Sequence, residues 1–164
     1  NVSVEMDFVA ETHRAFNATT GEYFGTGDDT VRNFENFKLS GDISAKVFGD
    51  ANANNIITDN GDDLIDGGLG ADQISTGDGN DTVVIRQGDG GNTIAEADKI
   101  SDFTNGSDLI GLHNLNYSDL TIEQGSGDYV NDALISKGSE YLVVIEDINI
   151  ADLTEADFVA YEIV

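Results

Sequence analysis

Glycine and aspartate recur at fixed offsets through the middle of this chain, in a spacing that suits the capture of a hard cation by oxygen. Gly67-Gly68-Leu69-Gly70-Ala71-Asp72-Gln73-Ile74-Ser75 runs directly into Thr76-Gly77-Asp78-Gly79-Asn80-Asp81-Thr82-Val83-Val84. Both follow one rule of nine positions: glycine, glycine, any, glycine, any, aspartate, any, aliphatic, any, with only Thr76 departing from it. Glycines at alternate loop positions allow backbone angles closed to other residues and let carbonyl oxygens converge without Cβ obstruction. An aspartate that closes the loop adds a hard anionic oxygen on a short arm. Ca²⁺ takes about six to eight such oxygens, so carbonyls and carboxylates from two neighbouring loops can complete its shell. Six residues of each unit turn, three extend, and the aliphatic residue points to a thin core.

The candidate ligands come from several units. Asp72 with Gly68 and Gly70, and Asp81 with Gly77 and Gly79, belong to the two clear repeats. Upstream, Asp59-Asn60-Gly61-Asp62-Asp63-Leu64-Ile65-Asp66 reads as a degraded copy with one residue deleted, which offers Asp59, Gly61 and Asp63. Farther out, Ala53-Asn54-Asn55-Ile56-Ile57 and Gly88-Asp89-Gly90-Gly91-Asn92-Thr93-Ile94 read as edge repeats with Asn55 and Asn92 in the aspartate slot, and Lys46 stands in that slot one unit earlier. Gly88, Gly90 and Asn92 join the candidates on this ground. Ile57, Ile65, Ile74, Val83 and Ile94 fill the aliphatic slot, and Gly25-Thr26-Gly27-Asp28-Asp29-Thr30-Val31 is an earlier echo of the same offsets. Two units make one coil, so loops two units apart stack, and ions are expected in two ladders along the two edges.

This nonapeptide resembles the calcium repeat of the RTX (repeats-in-toxin) family of exported bacterial proteins. The resemblance implies an all-β fold, a right-handed parallel β-roll, whose folding is triggered by several extracellular Ca²⁺ ions. It also implies export through a type I secretion channel that reads an uncleaved C-terminal signal. Asp98-Lys99-Ile100-Ser101-Asp102-Phe103-Thr104-Asn105-Gly106-Ser107-Asp108-Leu109-Ile110 is similar to the segment that follows the roll in that family, which adds Asp98 and Asp102 to the implied metal ligands. The ending Leu153-Thr154-Glu155-Ala156-Asp157-Phe158 through Glu162-Ile163-Val164, acidic and then apolar, is similar to the family's secretion signals.

The elements around the repeats must hold this stack at both ends. Val2, Val4, Met6 and Phe8 alternate in the strand manner, and Phe34-Glu35-Asn36-Phe37-Lys38-Leu39 reads as a further strand. After residue 108 the glycines thin out, and apolar runs at 120–122, 133–135, 141–145 and 158–164 read as strands. Ser136-Lys137-Gly138-Ser139-Glu140 between two of them reads as a hairpin loop. Residues 1–48 are thus expected as short N-terminal strands prolonging the roll, 49–108 as the calcium-binding β-roll, and 109–164 as a C-terminal antiparallel β cap with the secretion signal.

Composition narrows the partners. The 164 residues carry 7 Lys+Arg against 32 Asp+Glu, a formal charge of −25, which excludes nucleic acid as a natural partner and makes an ion-free compact state self-repelling. Asp outnumbers Glu by 22 to 10, which favours metal loops, while a solvated acidic surface of the halophilic kind is the competing explanation. There is no Cys, so no disulfide stabilises the chain, and a structural metal is an alternative source of stability outside the cell. No apolar run reaches the ~18 residues of a membrane span, so no membrane insertion is expected. Because its single Met6 is not the first residue, the chain reads as an excerpt of a longer secreted or cell-surface protein.

No catalytic residues are assigned, and the chain is read as a non-enzyme. His13 and His113 stand outside any zinc spacing, and an EF-hand frame from Asp78 puts Thr82 and Val83 where a ligand and a glycine are required. The leading reading is a module for calcium-triggered folding and secretion. The alternatives are the end-domain of a surface adhesin, with a cell surface as partner, or an accessory module that contacts polysaccharide beside an exported enzyme.

Overall fold

Three extended residues cannot bury an aliphatic side chain alone, so each unit needs the one stacked two units away and the one facing it. The computed structural model describes residues 44–162 together with five earlier strands. Those five are β1 (Ser3–Asp7), β2 (Ala15–Phe16), β3 (Tyr23–Phe24), β4 (Asp29–Arg32) and β5 (Asn36–Ser40). The coil continues through β6 (Ala45–Phe48), β7 (Asn55–Ile57), β8 (Leu64–Asp66), β9 (Gln73–Ser75), β10 (Thr82–Arg86), β11 (Asp98–Ile100) and β12 (Leu109–His113). The chain ends with β13 (Thr121–Gln124), β14 (Ala133–Lys137), β15 (Glu140–Ile145) and β16 (Phe158–Tyr161). Val2, Phe8, Gly25 to Asp28, Phe34 and the terminal Ile163 and Val164 lie outside the described residues.

Successive strands from β4 to β12 alternate between two sheets. One has the order β1-β5-β7-β9-β11-β15-β14-β13, the other β16-β12-β10-β8-β6-β4. Every pairing in them is parallel except β13 with β14 and β14 with β15. This is a parallel β-roll, and the chirality rule for parallel crossovers makes it right-handed. Its core is two facing ladders of single side chains. Phe37, Ile56, Ile74, Ile100 and Ile145 are in register along the first sheet. Val47, Ile65, Val83, Ile110 and Phe158 match them along the second.

The register corrects the sequence reading in three places. The aliphatic slot of the upstream unit holds Ile56, which is buried, while Ile57 is half-buried. The units therefore run from Gly49, Thr58, Gly67 and Thr76 without any deletion, and the aspartate slot falls on Asn54 and Ala45 instead of Asn55 and Lys46. Ile94 is not a core rung: it opens a 3₁₀ turn, Ile94–Glu96, and the rung is filled by Ile100.

The coil also continues past the glycine repeat. β12 stacks on β10, β16 on β12, and β15 on β11, so the segment from β15 to β16 is one more coil built of ordinary residues. The antiparallel part is the pair β13 and β14 added beside β15, with Gly138 at φ 64° in the turn between β14 and β15. There the left-handed backbone suits glycine.

Candidate metal centre

Aspartates buried at the edges of the roll join one coil to the next. On one edge the N–H of Ala45 donates to Asp63 Oδ1 (2.7 Å), that of Asp63 to Asp81 Oδ1 (2.8 Å), and that of Asp81 to Asp108 Oδ1 (3.1 Å). On the other, the N–H of Asn54 donates to Asp72 Oδ1 (2.7 Å) and that of Asp72 to Asp98 Oδ1 (2.9 Å). These hydrogen bonds occupy one oxygen of each carboxylate. The second oxygen of Asp63, Asp72 and Asp81 is buried without a hydrogen-bond partner. An orphaned buried carboxylate oxygen is costly unless a cation meets it.

The electrostatics agree. Burial pushes Asp63 and Asp72 up to about 6 and Asp81 up to about 7, and neighbouring carboxylates add to the rise. Asp98 is raised well above the usual range, again first by burial and then by the charge of Asp72. A solvated halophilic surface does not have this form, because Asp72 and Asp81 are 0% exposed.

Glycines bring carbonyl oxygens against these carboxylates. Gly68 (φ +93°) and Gly77 (φ +85°) adopt left-handed backbone, and a Cβ on either would collide with the carbonyl of Asp50 or Asp59 in the loop one coil back. Gly70 and Gly79 stack in the same way on the carbonyls of Asn52 and Gly61. A Cβ on Gly67 would strike Asp72 Oδ2, the orphaned oxygen itself. Among the described residues, two pairs of loops stack like this: 49–54 under 67–72, and 58–63 under 76–81. Among the described residues no three Asp, Glu or His side chains are placed to hold a metal ion by themselves, so any metal would draw on backbone carbonyls with a minority of carboxylates. Oxygen donors of this kind fit a hard divalent cation such as Ca²⁺ and do not fit a thiophilic or imidazole-bound metal. His113 is engaged elsewhere, with Nδ1 near the Tyr161 carbonyl (3.2 Å) and Nε2 near Asn114 (2.8 Å).

The structure thus gathers Asp59, Gly61, Asp63, Gly77, Gly79 and Asp81 along one edge and Gly68, Gly70 and Asp72 along the other, with Asp98 as the next rung there. Asp102 works differently. Its two oxygens accept from the N–H groups of Thr76 (2.8 Å) and Gly77 (3.1 Å) and from the Ser75 hydroxyl (2.6 Å), so it staples a loop. Gly88, Gly90 and Asn92 are not brought to the ladder. Asn92 is exposed, a Cβ on Gly88 would meet nothing within 4 Å, and Gly90 packs on the Tyr141 carbonyl, because the chain here leaves the coil to lean on β15. Asp50, Asn52, Asn54 and Asp108 were not anticipated. For the first three the signal was the unbroken period of nine counted back from Gly67.

The alternation of successive strands between two parallel sheets, with stacked glycine loops and a ladder of buried aspartates at the edges, defines a parallel β-roll. No family model matches the chain, and no curated protein does. Among solved structures, the AlgE6R2 subunit of the Azotobacter vinelandii mannuronan C5-epimerase shares the fold at 22% identity and a TM-score of 0.51, over 81% of this chain and 88% of that one. The AlgE6R3 subunit of the same enzyme matches at 21% identity and TM-score 0.44, over 80% and 77% of the two chains. The extracellular lipase LipA of Serratia marcescens matches at 14% and 0.43, over 93% of this chain and 23% of the lipase.

Proposed function

We propose that this chain is a calcium-binding module of an exported protein, and that Ca²⁺ held between stacked loops completes its fold. The observation that carries this reading is the buried, unpartnered Oδ2 of Asp63, Asp72 and Asp81 beside loops whose carbonyls face one another. Asp59, Gly61, Gly77, Gly79 and Asp81 would hold ions on one edge, and Asp50, Asn52, Gly68, Gly70 and Asp72 on the other. The chain's part is to supply preorganised oxygens; the ion supplies the charge that lets the carboxylates stay ionised when buried.

Asp119 separates this reading from a general effect of acidity. It lies outside the repeat, is exposed enough to be solvated, and accepts from the Asn116 side chain (3.1 Å). In a calcium titration followed by calorimetry and circular dichroism, Asp72→Asn or Asp81→Asn is expected to lose an ion or to raise the calcium midpoint about tenfold, equivalent to ~1.4 kcal/mol. Asp119→Asn is expected to do neither. Superimposable curves for all three would remove Asp72 and Asp81 from the ligand set.

For export, the reading is that the end of the chain is recognised by a type I channel while the roll is still unfolded. β16 pairs with β12 in the folded roll, so the Phe158–Tyr161 part of such a signal is free of the sheet only before folding. Truncation after Ala156 is expected to retain the protein inside cells that carry a matching channel. Undiminished secretion of the truncated chain would refute that part of the reading while leaving calcium binding untouched.

A further inference from the structure

One corner of the roll carries its own positive charge. After β10 the chain departs from the coil: Gly91 and Tyr141 exchange backbone hydrogen bonds (3.2 and 2.8 Å), and the N–H of Gly88 donates to Glu140 Oε1 (2.6 Å). The departure leaves Asp66 and Asp89 buried at the edge above loop 67–72, close to Asp72 and Asp98. Neither oxygen of Asp89 has a hydrogen-bond partner. Into this group reaches the guanidinium of Arg86, which is ion-paired with Asp66 and places Nε 3.2 Å from Asp89 Oδ2. Arg86 is one of 7 basic residues in a chain with 32 acidic ones, and its side chain is three-quarters covered.

We propose that Arg86 is a resident cation, standing at the rung where the period of the ladder would otherwise place another calcium ion. Two features support this over an additional metal site. The loop above has no glycine facing a carbonyl of loop 67–72, since a Cβ on Gly88 would touch nothing and Gly90 is turned against Tyr141, so the two-loop stack that supplies carbonyl ligands is missing. The carboxylates that remain are met by a guanidinium, which stays protonated at any physiological pH and needs no ion from solution. The rung joining the roll to β11 and β15 is therefore independent of calcium, and ions on this edge are confined to the stack of 49–54 and 67–72. The inference rests on the calcium reading above.

The test counts bound ions by calorimetry and native mass spectrometry in the full chain and in Arg86→Gln, Asp89→Asn, the double variant and Asp81→Asn. Asp89→Asn is expected to keep the ion count and shift the calcium midpoint by less than about twofold, whereas Asp81→Asn loses an ion or shifts the midpoint about tenfold. Arg86→Gln, which leaves Asp66 and Asp89 without a counter-charge at a rung that lacks carbonyl ligands, is expected to keep the ion count but to need more calcium to fold, and the double variant to recover most of the original midpoint. Loss of an ion in Asp89→Asn would make Asp89 a metal ligand and overturn the proposal while leaving the calcium reading intact. So would an Arg86→Gln chain that folds with unchanged count and midpoint. If Arg86→Gln does not fold, Asp89→Asn alone decides. An original chain that binds no calcium overturns both.

Discussion

Chelation of divalent cations at neutral pH and low ionic strength is expected to abolish most of the β signal of this chain, and millimolar calcium to restore it. The folded chain must gather a formal charge of −25 around a core only one side chain thick on each sheet. It must also bury Asp63, Asp72 and Asp81 with an oxygen unmet. Each such group costs about 1 to 3 kcal/mol, more when charged, and domains have only about 5 to 15 kcal/mol of net stability. Two ions, each at about ten to a hundred times its Kd, would contribute roughly 1.4 to 2.7 kcal/mol apiece. That is enough to decide between folded and unfolded. The affinity is expected in the extracellular class, about 10⁻⁴ to 10⁻³ M, which leaves the chain unfolded where calcium is scarce. Circular dichroism in EGTA, with potassium chloride as the comparison, separates ligation from screening: monovalent salt weakens repulsion among exposed carboxylates but supplies no ligand-bound charge inside. A calcium-free chain as folded and as heat-resistant as the calcium-loaded one would end this account, as would nanomolar sites.

The parts of this architecture legible in the sequence are those in which covalent spacing equals coil length. Asp63 and Asp81, eighteen residues apart, and Gly68, Gly70, Gly77 and Gly79 fall into place because nine residues make half a coil with nothing inserted. Where the glycines fade, the frame was one residue off. Asn54 and Asn55 are the same residue type; the period counted back from Gly67 selects Asn54, and its burial and its hydrogen bond to Asp72 mark it as the residue in the slot. The segment around Asn92 kept the look of a repeat but is diverted by pairing between Gly91 and Tyr141, a contact fifty residues distant that no local pattern encodes. The rung then falls to Asp98 and Ile100. A roll tolerates such excursions because only the strand and the residue that closes the loop must return to register, while the loop outside can lengthen. The coil from β15 to β16 shows the same freedom, with Asp157 accepting from the Thr154 N–H (2.7 Å) as Asp108 does from that of Thr104 (2.7 Å).

Acid is expected to act on the calcium-free and calcium-loaded chains in opposite directions. In the ion-free fold, burial holds Asp63 and Asp72 at about 6 and Asp81 at about 7, against 3.8 for the unfolded chain. Between those values the folded form binds protons that the unfolded form has released, so stability falls as pH rises through this window and is greatest below it. Lowering the pH from about 8 to about 5 without calcium should therefore increase the β signal, because protons neutralise buried oxygens that no ion is neutralising. The fall in overall repulsion as the chain nears its pI of about 4.1 acts in the same direction. With calcium present the sign reverses. An ion can enter only as the carboxylates give up their protons, so the calcium midpoint should rise by up to about tenfold for each pH unit and each displaced proton below about pH 7. Asp81→Asn should narrow the pH response of the calcium-free chain at its upper end, whereas Asp119→Asn, whose carboxyl is held below the usual range by Asn116, should leave it unchanged. The measurement is circular dichroism across this pH range at zero and at saturating calcium. A calcium-free chain that gains structure as the pH rises from about 5 to about 7 would show that the buried aspartates are already stabilised as anions by the protein alone, and the ladder would then need no metal.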